Sequence, residues 1–220
     1  NNGPGVDPQN WSQWIKPKNI PHYAKKENID ALTKALQENK VGDKKDRPKG
    51  PLTECADVQD DTYTDGQTTS RAIEVLKDLS QQKNNPFFLA VGLTKPHLPF
   101  VAPKKYWDLY VREEFRMPAN KGIPPGYPVY AANQFAYEMH KYSDFEGKSP
   151  KDFSDDFNKR LLHGYAACTS YADACVGRIL NALKKNNLTE NTIVVLWGDH
   201  GWKLGDHSSW CKHTSFECDT

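Results

Sequence analysis

The chain has 220 residues, 29 basic against 28 acidic side chains and a net charge of +1. A balance this even, with no run of five like charges, argues against a protein held on nucleic acid or anionic lipid by bulk electrostatics. No apolar stretch approaches the ~18 to 20 residues that a membrane span requires, so neither nucleic acid nor membrane is an expected partner.

The 37% apolar content is lean but allows a core, since a chain of this length can bury roughly 70% of its extended surface. Asn1-Asn2-Gly3-Pro4-Gly5 does not have the form of a secretory signal. Residues 1–66 hold one short helical stretch, Asn28 to Gln37, in a segment rich in Pro, Gly, Lys and Asp, and are expected to be irregular. Asp65 reads as a helix cap, and Ala72, Val75, Leu76 and Leu79 follow at helical spacing over Thr68 to Gln82, ended by Asn84-Asn85-Pro86. The continuous apolar run Phe87 to Leu93 predicts a strand covered on both faces, so 67–100 reads as a helix and strand. Residues 101–155, rich in proline and aromatics, predict a loop-rich excursion.

Asp155-Asp156 starts a long helix from Phe157 to Lys185, with Leu161, Leu162, Tyr165, Cys168, Ala172, Cys175, Val176, Ile179, Leu180 and Leu183 on one stripe. Thr192 to Trp197 predicts a second buried strand, completing a helix-strand unit over 156–220. Two such units predict an α/β fold with a largely parallel sheet sandwiched by helices. The five cysteines, Cys55, Cys168, Cys175, Cys211 and Cys218, include no C-x-x-C pair. Cys168 and Cys175 sit seven apart on one helix, about 10.5 Å, beyond the ~7 Å a disulfide tolerates, and are expected as buried thiols. The partner of Cys55, and whether Cys211 and Cys218 are bridged, stay open. Two sequons begin at Asn10 and Asn187.

Chemistry-bearing residues follow each predicted strand: Lys95-Pro96-His97 after the first and Gly198-Asp199-His200-Gly201 after the second. Ligands of open parallel sheets bind beyond the carboxyl ends of the strands. Asp199 and His200 are candidate metal ligands, because the flanking glycines let the chain turn so that adjacent side chains share one ion. A capping Asp beside a solvated His is the plainer alternative. Proline on both sides fixes the backbone around His97, which suits proton delivery or contact with an anion, and Lys212 can supply positive charge. His200, His207, Cys211 and His213 could instead form a structural zinc module.

These residues resemble the sulfatases of the alkaline-phosphatase superfamily, and within them the iduronate-2-sulfatase group. The resemblance rests on Pro86 to Gly92 running into Lys95-Pro96-His97-Leu98-Pro99-Phe100, on the helix Tyr165 to Leu183, on Asp199-His200-Gly201-Trp202 with Leu204-Gly205-Asp206-His207, and on Trp210-Cys211-Lys212 leading into Ser215-Phe216. It implies an alkaline-phosphatase-like catalytic domain that hydrolyses sulfate esters of sulfated sugars, the glycosaminoglycan uronate 2-sulfates above all. His97 and Lys212 would be catalytic, Lys95, Trp202 and His207 would bind substrate, and Asp199 and His200 would hold one divalent cation, Ca²⁺. The family's formylglycine arises from a C/S-x-P-x-R motif, absent from these 220 residues. The chain is therefore expected to be an internal part of a catalytic domain, inactive alone, with the nucleophile upstream and a C-terminal domain beyond, in a lysosomal or secreted protein. A phosphodiesterase or phosphatase of the same superfamily, and a non-catalytic homologue that binds sulfated glycans, are the rival readings.

Overall fold

The computed structural model describes residues 8–15, 22–38, 47–82, 85–120, 122–123, 125–128, 136–147 and 149–214. The Lys-rich stretch at 42–46, Asn84, Ser215, Phe216 and Cys218 lie outside them. At the centre is a βαβ unit. Strand β1 (Thr53–Ala56) pairs in parallel with β2 (Phe100–Pro103), Thr53 opposite Phe100 and Ala56 opposite Pro103. Helix α2 (Thr64–Ser80) lies on the crossover, as two parallel neighbours require. Helix α1 (Lys26–Glu38) precedes the unit, α3 (Lys104–Trp107) follows it, and α4 (Asp155–Lys185) packs across α2, α3 and β2. Two short antiparallel strands, β3 (Lys203–Leu204) and β4 (Trp210–Cys211), close the described chain.

The long helix forms where its apolar stripe predicts. Ser154 is its cap, the hydroxyl accepting from the Phe157 amide at 3.2 Å, and Asp155 and Asp156 occupy the positive end of the dipole. Leu161, Cys168, Tyr171 and Cys175 are fully buried, each apolar side chain of this size contributing about 1.5 to 3 kcal/mol. Both thiols are free, as expected, and burial pushes Cys168 up to about 12. Close approach of α4 to the sheet depends on Gly164, where a Cβ would stand 2.9 Å from Phe100 Cβ and 3.0 Å from the Trp107 ring. Tyr171 bolts α4 to the start of α2, accepting from the Gly66 amide at 2.6 Å and donating to the Asp60 carbonyl at 2.8 Å.

Two expectations fail in detail. The runs Phe87 to Leu93 and Thr192 to Trp197 are not strands, and neither is buried on both faces. Phe88 is 82% exposed, and Ile193 to Trp197 are between 54% and 93% exposed. A run of this composition becomes a two-sided strand only with neighbours on both edges and cover on both faces; among the described residues neither run has them. The parallel pair instead uses Thr53–Ala56 and Phe100–Pro103, read from sequence as irregular segment and loop. Glu54 explains the first of these. Its buried carboxylate accepts from the amides of Ala24 and Lys25, the Asn28 amide group and the Tyr63 hydroxyl, so β1 is fixed by polar bonds that an apolar pattern does not reveal. The Asp65 expectation shifts as well: α2 starts at Thr64 after Tyr63, and Asp65 lies inside its first turn. A contiguous apolar surface along 193–197 is expected to bind an apolar fluorescent dye when the 220-residue chain is prepared by itself, and Ile193→Lys with Val195→Lys to remove most of that signal. An unchanged signal would show that the dye sits elsewhere.

Candidate active site

Asp65 begins the site. At the first turn of α2, its buried carboxylate accepts from the Thr94 amide at 3.0 Å and the Lys95 amide at 2.8 Å, anchoring the turn that carries His97. The Lys95-Pro96 and Leu98-Pro99 peptide bonds are both cis. Lys95 itself points into this turn. Its ammonium donates to the carbonyls of His97 at 3.0 Å and Pro99 at 2.6 Å, and burial pushes its pKa down, only partly offset by Cys168 and Asp65. It therefore builds the turn, with its charge directed at main chain.

The second half is carried by β4. Trp210 is buried, and its indole donates to Asn158 Oδ1 of α4 at 3.1 Å, setting the position of Cys211 and Lys212 behind it. The Cys211 thiol is buried and hydrogen-bonds the Glu138 backbone, and burial pushes its pKa up. His207, Ser208, Cys211 and His213 all have left-handed backbone, a concentration of strained conformations.

These two loops meet on a residue that the sequence did not single out. Glu138 Oε2 stands 3.1 Å from His97 Nε2, while Oε1 lies 3.0 Å from His213 Nε2 and 3.9 Å from Lys212 Nζ. Trp202 forms the wall: its ring packs edge-on to His97 with centroids 5.3 Å apart, and Lys212 Nζ lies 5.6 Å from its centre. The indole N–H of Trp202 is buried without a hydrogen-bond partner among the described residues. His97 Nδ1 faces the Leu98 carbonyl at 2.9 Å. Both ring nitrogens of His97 thus face oxygen atoms of the chain. The hydrogen bond from His97, with Lys212 and His213 beside it, holds the Glu138 carboxyl down to about 2 against burial, which pushes it up. A folded pKa below the usual 4.5 means that this carboxylate contributes stability above about pH 4.5 and loses it as pH falls toward 2. No sequence signal marks Glu138, which lies in a turn outside every motif.

Of the remaining predicted residues, His200 reaches the edge of this cluster, its ring edge-on to His213 with centroids 6.4 Å apart. Asp199 and His200 are exposed, and His200 Nδ1 contacts the Gly201 carbonyl at 3.1 Å. Among the described residues no three His, Cys, Asp or Glu side chains stand close enough to hold a metal ion. Two adjacent donors are at most part of the shell of six to eight oxygens that Ca²⁺ takes. The same finding counts against the zinc-module alternative, since no three of His200, His207, Cys211 and His213 stand close enough to share an ion. His207 instead turns to Asn120 and Gly122, its Nδ1 3.0 Å from the Gly122 carbonyl and its amide donating to the Asn120 carbonyl at 2.8 Å.

Comparison with known proteins identifies the family. A sulfatase family model matches residues 4–218. Iduronate 2-sulfatase of Mus musculus is 34% identical over 171 residues, covering 76% of this chain and 31% of the relative; that of Homo sapiens is 35% identical over 168 residues, covering 74% and 30%. The chain thus spans about a third of the length of these curated relatives. Among solved structures, a phosphonate monoester hydrolase from Silicibacter pomeroyi superposes with a TM-score of 0.58 at 20% identity, covering 86% of this chain and 39% of that one, a likeness of fold. The fold is accordingly part of an alkaline-phosphatase-like α/β domain. On the match across nearly its whole length, the chain belongs to the sulfatase family.

Proposed function

We propose that this chain is the central part of a larger catalytic domain that hydrolyses sulfate esters on sulfated sugars, in the manner of an iduronate 2-sulfatase acting on uronate 2-sulfates. The observation that carries this reading is the convergence of His97 with Trp202 and Lys212, which lie more than a hundred residues further along the chain, on one half-buried polar cluster in a chain of the sulfatase family. Lys212 offsets the negative charge that builds on the sulfate oxygens. His97, with its ring oriented by the Leu98 carbonyl, turns Nε2 toward the cluster and delivers a proton there to the leaving alcohol oxygen. The indole N–H of Trp202, buried and without a partner among the described residues, is proposed to donate to an acceptor of the substrate. Lys95 supports the reaction by shaping the 95–99 turn, and His207 by fixing the loop before β4.

Asp199 and His200 are proposed to supply two ligands for one divalent cation, Ca²⁺, the others coming from outside the described residues. When bound, such a cation draws charge from the sulfate oxygens. The formylglycine nucleophile is proposed to lie outside this chain, and the protein to be lysosomal or secreted; no described helix is long and apolar enough to cross a membrane. The fold likeness to a phosphonate monoester hydrolase supports a second reading, phosphoryl ester hydrolysis. Initial rates of the full-length protein on a uronate 2-sulfate and on a phosphonate monoester decide between them: the sulfate ester is expected to turn over at least about 100-fold faster, and the reverse order would sink the sulfatase reading. Asp199→Asn is expected to weaken calcium retention by about tenfold or more, measured by metal analysis after dialysis. Unchanged retention would remove Asp199 from the metal site.

A further inference from the structure

His97 and Lys212, taken as contacts of a sulfate group, are both already engaged by a carboxylate of the chain itself. We propose that Glu138 is a resident anion in the sulfate seat: its two oxygens stand where two oxygens of a sulfate ester would, His213 is a third contact of that seat, and substrate binds by displacing the carboxylate. This rests on the reading of His97 and Lys212 as sulfate contacts.

The geometry of His97 leads to it. Nδ1 is taken by the Leu98 carbonyl at 2.9 Å and Nε2 by Glu138 at 3.1 Å, so a substrate oxygen reaches the ring only by taking one of these places. Leu98 is buried, and its carbonyl belongs to a turn anchored through Lys95 by Asp65 and by the Lys95 ammonium. Glu138 offers the yielding contact. Its side chain has three rotatable bonds and is 20% exposed, which leaves it a path to solvent. Its main chain stays: Ala136 and Met139 are fully buried, the Met139 amide donates to the Ala136 carbonyl at 2.8 Å and the Tyr142 amide to the Met139 carbonyl at 3.0 Å.

Charge and shape match the exchange. A carboxylate and one edge of a sulfate tetrahedron both present two oxygens sharing negative charge, so a sulfate monoester replaces Glu138 without changing the net charge of the cluster. His213 Nε2, 3.0 Å from Oε1, is placed to donate to either. Lys212, at 3.9 Å from the same oxygen, is within ion-pair range of an anion in this seat. The consequence is a reduced apparent affinity for sulfate, by the fraction of molecules in which Glu138 is seated, and with it weaker inhibition by the sulfate product.

Titrating inorganic sulfate into the full-length protein by calorimetry tests this. Glu138→Gln and Glu138→Ala, each checked for an unchanged circular-dichroism spectrum, are expected to bind sulfate about fivefold or more tightly than the parent, and His213→Ala to bind it more weakly. Lys212→Ala is expected to weaken sulfate binding about tenfold or more in both the parent and the Glu138→Gln backgrounds. Equal or weaker binding by both Glu138 variants, with Lys212→Ala still weakening it, would overturn the resident anion and leave the sulfate site standing. Sulfate binding that Lys212→Ala leaves unchanged would overturn both.

Discussion

His97→Ala and Lys212→Ala are each expected to lower turnover of a sulfate ester by the full-length protein by about 100-fold or more, and His97→Ala by as much as about 10,000-fold. The two losses should differ in kind. A proton donor acts on the leaving oxygen, so loss of His97 is expected to lower kcat most for substrates whose leaving alcohol is a poor leaving group, and little for an activated aryl sulfate. Lys212 acts on charge gathering at the sulfate oxygens whatever the alcohol, so its loss should weigh on both substrates alike. Rates for the two variants on an alkyl and an aryl sulfate separate the roles. Equal losses across both substrates for His97→Ala would remove it as the proton donor, and parent-like rates for Lys212→Ala would remove it from the site.

Gly66→Ala is expected to be the most damaging small substitution in the described core. A Cβ at this position would stand 2.1 Å from the Asp60 carbonyl oxygen and 2.4 Å from its carbon, and the obstacle is backbone, which cannot swing aside as a side chain can. The same carbonyl accepts from Tyr171, and the Gly66 amide donates to Tyr171, so any shift strains the link between α2 and α4. Overpacking against fixed main chain is expected to cost about 3 kcal/mol, lowering Tm by about 6 to 12 °C. Gly177, inside α4, has nothing within 4 Å of its Cβ position, and Gly177→Ala is expected to stabilise the protein by about 0.5 to 1 kcal/mol through helix propensity alone. Thermal unfolding of the pair checks the contrast; a Gly66→Ala protein melting like its parent would mean that the 60–62 turn yields at little cost. Since Asp65, next in sequence, anchors the His97 turn, activity should fall along with stability.

The helices were legible in the sequence because their signals are local. The stripe from Leu161 to Leu183 marks α4, and its acidic start lies next to the true cap, Ser154. Strands were harder for a physical reason. An apolar run such as Thr192 to Trp197 records only what would happen given neighbours, while β1, with the sequence Thr-Glu-Cys-Ala, is held by bonds to Glu54 from residues 9 to 30 positions away. The site shows the same division. His97, Lys212 and Trp202 were readable because their spacing and composition belong to recognisable motifs, and the structure brings them together. Glu138 was not readable: its meaning arises only when a turn at 136–142, with no motif of its own, is folded between residues 97 and 212. Lys95 stands between these cases. Its place beside His97 is visible in the sequence, but the direction of its ammonium, onto the carbonyls of its own turn, is set by the path of the backbone.

The most direct measurement is the crystal structure of the full-length protein soaked in inorganic sulfate. A sulfate whose oxygens lie within hydrogen-bonding distance of both His97 Nε2 and Lys212 Nζ, with the Glu138 side chain turned out of the seat, is the predicted result. Sulfate bound elsewhere, with the contact between His97 and Glu138 still at 3.1 Å, would contradict the assignment of this cluster as the sulfate site.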